Sequence, residues 1–378
     1  MYFGKFHKEL QEQARYFAQK ELTDELLIQT EKTGIFPKDV IYKMARAGFL
    51  GIKTPKVYGG MGGDHRAYAL VMEEIASVSA VASLYISSPN SLSGGPLLLS
   101  GTPEQIDKYL RPCTAGEKML CFALTEPGAG SDAGGIVTKA VKEGSGYILN
   151  GRKTFITMAP LSDYAIIYAK TDKNQRTKGI SAFIVDLKSQ GISFGKPENK
   201  MGLIGCATAD IVLDNVWVDE KDRLGEENEG FINAMKTLDV GRLGVAAQSV
   251  GVARGALEDV ICFVRENGLA SHQGIAFGIA KMASAFEAAR QLVYEAAWQK
   301  DCGQDLKKAS LAASMAKLQA SETCVQICNK AVEICADYGC TWGTKIERRF
   351  RDCQVFTIYE GTSQVQQMAI ARQLLGEK

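Results

Sequence analysis

The chain has 378 residues, 46% of them hydrophobic and 23% charged, and its 44 basic and 43 acidic side chains leave a formal net charge of +1. That composition belongs to a folded globular protein and excludes disorder, collagen and coiled-coil rods. A near-neutral chain has no long-range field for gathering nucleic acid, and no apolar run approaches the roughly 20 residues of a membrane span, so neither is an expected partner. Beyond about 250 to 300 residues a single core stops growing, so two or three domains are expected.

In chain order, Phe3, Phe6, Leu10, Ala14 and Phe17 recur at helical spacing among charged residues, which predicts an amphipathic helix and no secretory signal. A cytoplasmic protein is expected. The rest of the first third reads as helical, with Pro and Gly punctuation at 56–64 and 88–96. The period then changes. Tyr164 to Ala169, Ala182 to Val185 and Ile211 to Val218 are short runs rich in β-branched and aromatic residues, bounded by turn signals such as Asn150-Gly151 and Asp214-Asn215. No helical stretch separates them, so the expected sheet is antiparallel or barrel-like and not a βαβ nucleotide fold. All nine prolines precede residue 198. The proline-free remainder carries apolar residues at Ile275, Ile279, Met282, Phe286, Ala289 and Val293, and again at Leu311, Met315, Leu318, Val325, Cys328 and Val332. Two long helices of a bundle are predicted, joined by the short polar connector Asp301 to Asp305. The order is helical, then β, then helical, with boundaries near 120 and 222.

Ten cysteines are far too few for the about 8 to 10% of a disulfide scaffold. Their closest pairs, Cys324/Cys328 and Cys335/Cys340, with only three histidines in the chain, make poor metal spacing. Packed, reduced thiols and no metal are expected.

Three segments could carry chemistry. Leu124 to Asp132 (LTEPGAGSD) is a glycine-rich turn after an apolar run, where Gly128 and Gly130 free the backbone to approach a ligand and Ser131 can donate to an anion. It lacks the G-x-G-x-x-G dinucleotide spacing, and a simple turn reads it equally well. Ile358 to Gln364 (IYEGTSQ) sets Glu360 among apolar neighbours, either as a buried base with a raised pKa or, with Thr362, as part of a helix cap. Asp239 and Arg242 are spaced for an intrahelical ion pair, and Arg348, Arg349, Arg351 and Asp352 read as a solvated face.

Taken together and in order, these segments resemble the acyl-CoA dehydrogenase family. The matching pieces are Leu124 to Asp132, Leu149 to Thr157 (LNGRKTFIT), Lys200 to Gly202, Asp219 to Gly225, Gly230-Phe231 through Asp239 and Arg242, and Arg351-Asp352 followed by Ile358 to Thr362. The resemblance implies an α+β subunit: an N-terminal helical domain (1–120), a central antiparallel β-barrel (121–222) and a C-terminal four-helix bundle (223–378). It implies FAD, with Phe122, Leu124, Thr125, Ser131, Phe155, Thr157, Thr362 and Gln364 as cofactor contacts. Glu360 aligns with the base that removes the α-proton of an acyl-CoA while the β-hydride goes to the flavin. Ser131, Asp239, Arg242 and Gly361 align with substrate contacts. The implied activity is α,β-dehydrogenation of an acyl-CoA, or the reverse reduction of an enoyl-CoA, with electrons exchanged with an electron-transferring flavoprotein. The flavour suggested is the anaerobic type that includes caffeoyl-CoA reductase-like proteins. The alternatives are an acyl-CoA oxidase and a non-catalytic or partner-dependent flavoprotein subunit.

Two departures stand out. The segment from Arg265 to Gln273, which in relatives reaches the FAD of a neighbouring subunit, is short and lacks Phe-Gly after the arginine. A second neighbour-facing segment reads Glu333 to Asp337 (EICAD) where relatives carry paired glycines. The family expectation is a homotetramer, and the departures imply weaker FAD binding in that tetramer, other residues holding the diphosphate, or a hetero-oligomer in which a partner supplies the missing loop.

Overall fold

The computed structural model describes residues 2–303 and 305–376. The N-terminal third is a cluster of short helices: α1 (Lys5–Glu21), α2 (Asp24–Thr33), α3 (Lys38–Arg46), α4 (His65–Ala76), α5 (Ala80–Asn90) and α6 (Gly94–Ser100). After these, α7 (Pro103–Gln105) runs through a π turn into α8 (Arg111–Thr114). Polar side chains fix where several begin: Thr23, Asp64, Ser79 and Thr102 each accept a hydrogen bond from a free amide in the first turn. Helix α4 is buried on nearly every side, because it lies between α1 and the long helices that follow the sheet.

The middle of the chain forms eight strands: β1 (Leu120–Ala123), β2 (Lys139–Glu143), β3 (Gly146–Thr157), β4 (Tyr164–Lys170), β5 (Ile180–Asp186), β6 (Ile192–Phe194), β7 (Thr208–Asp219) and β8 (Arg223–Leu224). The three runs singled out in the sequence are β4, β5 and β7. The expected closed barrel is not what forms. The strands run in the order β6-β7-β3-β2-β4-β5-β8, an open path whose end strands do not pair among the described residues. Strands β3 and β7 are long enough to curl, with register shifts at Leu149/Gly151 and Lys153/Ile156. The end strands span only three and two residues, too few to complete a ladder. Nor is the sheet wholly antiparallel: β1 lies parallel to β4, and β2 meets β4 in parallel at Lys139 and Lys170.

The C-terminal third is α9 (Gly230–Glu266), α10 (Gln273–Asp301), α11 (Leu306–Cys340), α12 (Lys345–Cys353) and α13 (Ser363–Leu375). On α10 the predicted seam is buried at Met282, Phe286, Ala289 and Val293. On α11 it is displaced. The buried stripe is Ala309, Ala313, Ala316, Lys317, Ala320, Cys324, Ile327, Cys328 and Ala331, while Leu311, Met315, Leu318, Val325 and Val332 are only half-buried. This helix packs against both α9 and α10; close approach on two sides favours small side chains and moves the large ones to the flanks. Cys353, remote in sequence, joins Cys324 and Cys328, the three sulfurs lying within 4.8 Å of one another among apolar neighbours.

The expected solvated face at 348–352 is also corrected. Arg348, Arg349 and Asp352 are buried, since α12 turns its charges inward onto partners. Arg349 pairs with Asp259 at 2.8 Å and Arg351 with Glu31 at 2.6 Å, and the Leu203 amide donates to Asp352 at 2.6 Å.

Within the altered Glu333–Asp337 segment, Ala336 breaks α11 at φ 48°, ψ −124°. An L-residue pays about 1 to 3 kcal/mol there, and glycine pays about 0.4 to 1 kcal/mol of that back in unfolded-chain entropy. Ala336→Gly should therefore stabilise the protein by about 1 kcal/mol, read as a higher urea midpoint at unchanged slope.

Candidate functional site

Glu360 sits on the segment between α12 and α13, in the left-handed region at φ 56°, followed by Gly361 at φ 90°. Such a turn costs about 1 to 2 kcal/mol at a non-glycine residue, so something must hold it. The fully buried Gln366 amide donates to the carbonyls of Glu360 (3.2 Å) and Gly361 (3.1 Å), and Lys317 Nζ donates to the Gly361 carbonyl at 2.8 Å. Thr362 caps α13 by accepting from the Val365 amide. The helix-cap reading of this segment thus holds for Thr362 and not for Glu360.

The turn aims the Glu360 carboxylate at α9. A Cβ on Gly241 would stand 2.5 Å from Glu360 Oε2, so the absence of a side chain there is what admits the carboxylate. Oε2 is buried without a hydrogen-bond partner, and its residue lines a cavity of about 260 Å³. Burial pushes the carboxyl up to about 8, against the opposing pull of Arg242 and Lys317. Gly241→Ala should leave folding intact, since alanine is the better helix former by about 1 kcal/mol. By displacing the carboxylate it should cut kcat/KM about 10²-fold, checked by kinetics alongside a melting curve.

The walls come from all three thirds of the chain. Phe122, Leu124, Thr125, Ser131, Phe155 and Thr157 line the cavity from the sheet side, Arg242 from α9, and Gly361 beside Glu360. Phe155, on the bulged part of β3 at φ 53°, is 65% exposed. The Leu124–Asp132 turn is tied down by Glu126, whose carboxylate accepts from the amides of Val137 (2.6 Å) and Thr138 (3.0 Å) and from Lys153 Nζ (2.7 Å). Lys153 also donates to the Leu124 carbonyl at 3.0 Å. From α5 come Leu84, Ser87 and Ser88, and across from them Gln248 and Tyr359. The Gln248 amide donates to Ser83 Oγ at 2.9 Å and its oxygen accepts from the Tyr359 hydroxyl; Tyr68 donates to Ser87 at 3.0 Å.

Some expected residues stand elsewhere. Asp239 does not line the cavity; it pairs with Arg242 Nη1 at 2.6 Å, as its spacing predicts, and accepts from Ser310 at 3.1 Å. Gln364 is exposed on the first turn of α13. Arg265, in the last turn of α9, and Gln273, the first residue of α10, are exposed and outside the cavity. Lys317, Gln366, Gly241 and the Glu126–Lys153 pair were not singled out in the sequence as site residues. Glu126, Lys153 and Gly241 lie inside the segments that carry the family resemblance, and Lys317 shows in the sequence as a charge inside a stripe of alanines.

The donor set suits a flavin. One wall offers exposed Phe155 with Phe122 and Leu124 to cover a flat ring, Thr125, Ser131 and Thr157 offer hydroxyls for its polar edge, and the unpartnered carboxylate faces the same space.

The chain is similar to known proteins over its whole length. Family models for the acyl-CoA dehydrogenase N-terminal, middle and C-terminal domains match residues 5–117, 121–216 and 228–375. The chain is 61% identical to the caffeyl-CoA reductase-Etf complex subunit CarC of Acetobacterium woodii, over 99% of this chain and 100% of that one. It is 54% identical to a 3-(aryl)acrylate reductase of Clostridium sporogenes, with the same coverage. The solved butyryl-CoA dehydrogenase of Megasphaera elsdenii superposes with a TM-score of 0.94 at 37% identity, covering 99% of each chain. Whole-length matches of this kind, on a fold that brings Glu360 to a cavity of about 260 Å³, place the chain in the acyl-CoA dehydrogenase family.

Proposed function

We propose that this protein is an FAD-dependent oxidoreductase that interconverts acyl-CoA and α,β-unsaturated enoyl-CoA thioesters, with Glu360 as the group that moves the α-proton. The observation that carries this reading is Glu360 Oε2, buried and unpartnered on a residue that lines the cavity. A base that must strip a weakly acidic C–H needs to be dry and free of competing donors.

In the dehydrogenation direction, ionised Glu360 takes the α-proton. The Glu360 amide, which has no backbone acceptor among the described residues, is available to the thioester oxygen as enolate charge develops. In the reverse direction the protonated carboxyl returns the proton. FAD, held by the Phe122–Ser131 segment with Phe155 and Thr157, supplies the acceptor or donor of the β-hydride. Arg242, fixed by Asp239, and Ser131 meet the CoA portion.

Two relatives named for aryl substrates support an aryl-acrylyl thioester as the physiological substrate, used in the reductive direction, with an electron-transferring flavoprotein as the redox partner. The cavity supports this as well, because its lining includes the polar side chains of Ser87, Ser88, Gln248 and Tyr359, suited to ring hydroxyls. A multimer whose subunits share the exposed Arg265–Gln273 turn fits the same reading, as does a cytoplasmic location; no described helix is long and apolar enough to cross a membrane.

The test is anaerobic titration of the purified flavoprotein with aryl and short straight-chain CoA esters, following the flavin absorbance. Reduced enzyme should be reoxidised fastest by hydroxylated aryl-acrylyl-CoA; no spectral response to any CoA ester would overturn the assignment. Because Glu360 titrates up at about 8, kcat/KM for dehydrogenation should rise as pH passes through that region, where the base loses its proton. Reduction, which needs the proton in place, should decline over the same interval.

A further inference from the structure

Lys317 lies on the stripe of α11 that packs into the bundle, among Ala313, Ala316 and Ala320, and it is fully buried. A lysine is the costliest residue to place there, because burial disfavours its charged form and its long side chain loses rotamer freedom. Its ammonium reaches the Gly361 carbonyl at 2.8 Å, directly after Glu360, in a turn where both residues have positive φ. We propose that Lys317 is a positioning residue for the proton transfer assigned above to Glu360: it fixes the Glu360–Gly361 turn and supplies the positive charge that lets the buried carboxyl ionise.

The charges around the pair define what that cation does. Facing Glu360 are Arg242 from α9, Tyr68 from α4, the neighbouring Tyr359, and Lys317 from α11. Facing Lys317 are Glu360, Arg242 and Glu322. Arg242 is already engaged by Asp239 and by Ser314, whereas Lys317 has no carboxylate partner within ion-pair distance among the described residues. Burial pulls the Lys317 ammonium down to about 8 and the Glu360 charge opposes that fall, while Lys317 in turn lowers the Glu360 carboxyl. Each group favours the charged form of the other. A structural lysine holding a carbonyl would need only its N–H.

The inference rests on Glu360 being the base, so the experiment separates the two claims. Lys317→Gln keeps a donor for the Gly361 carbonyl and removes the charge; Lys317→Arg keeps the charge. The measurements are the pH profile of kcat/KM for dehydrogenation and, independent of turnover, an infrared titration of the carboxyl band that Glu360→Gln deletes. In Lys317→Gln the limb and the band should both move up by about 1 pH unit, with the flavin retained, and Lys317→Arg should return them toward the parent. A Lys317→Gln profile that overlays the parent overturns the proposal while leaving Glu360 as base. Should the Gln variant not fold, Lys317→Arg decides: a limb at the parent's pH supports the role of charge, and a displaced one contradicts it. If the deleted band is never found and Glu360→Gln turns over normally, the base assignment fails first.

Discussion

Glu360→Gln should lower kcat/KM about 10⁴-fold, the upper range for loss of a general base, with the flavin still bound. Glutamine has nearly the same shape, so it fills the space over Gly241 without disturbing the turn that Gln366 and Lys317 hold. What it removes is the ability to take a proton. The same variant reports on stability through linkage. Glu360 is raised from 4.5 to about 8 in the folded protein, so the fold retains this proton where the unfolded chain has released it. Its contribution to stability is fully present below pH 4.5 and is lost as pH rises through about 8. Glutamine has no such dependence, so the melting temperature of the variant relative to the parent should climb between pH 5 and pH 9. On the proposed assignment, a base kept dry is thus a liability to the fold at the pH where it works.

The second large effect is on the loop that lines the cavity beside Glu360. Glu126→Ala should destabilise the protein by about 3 to 5 kcal/mol, the cost of breaking a buried ion pair by removing one partner. It leaves Lys153, itself fully buried, with only the Leu124 carbonyl, and strips the Val137 and Thr138 amides of their acceptor. The carboxylate is held below its ordinary range by Lys153 and these amides despite its burial, so the pair exists as charges. Because the affected segment is Leu124 to Asp132, flavin release should accompany the loss of stability. Glu126→Gln, which can still accept from an amide, should fall between parent and alanine. The checks are urea unfolding and the flavin content after gel filtration. An alanine variant as stable and as yellow as the parent would show that the pair is not what holds the loop.

Much of this architecture is legible in the sequence because it depends on local signals. The change of period from helical to alternating near residue 120, the β-branched runs that become β4, β5 and β7, and the proline-free tract that becomes α9 to α13 all follow from short-range patterning. The Glu360 turn is legible for a different reason, since its neighbours match a family pattern over the whole chain. What is not legible depends on which surfaces meet. Nothing local says that α11 is pressed between two helices, so the large apolar residues look like its seam, while the alanines and Lys317 that fill it look incidental. Arg348, Arg349 and Asp352 read as solvated because their partners, Asp259, Glu31 and the Leu203 amide, lie on other elements. The open sheet has the same origin: strand runs can be recognised from composition, but closure depends on whether β6 and β8 are long enough to meet.

The most direct test of the central claim follows the α-proton itself. A saturated acyl-CoA is incubated with the holoenzyme in D₂O without an electron acceptor, and deuterium at the α-carbon is read by mass spectrometry. The parent should wash deuterium into that position, faster as pH rises toward and through about 8, and Glu360→Gln should leave the substrate unlabelled. Equal labelling by parent and variant would show that another group moves the proton and that the buried carboxylate is not the base.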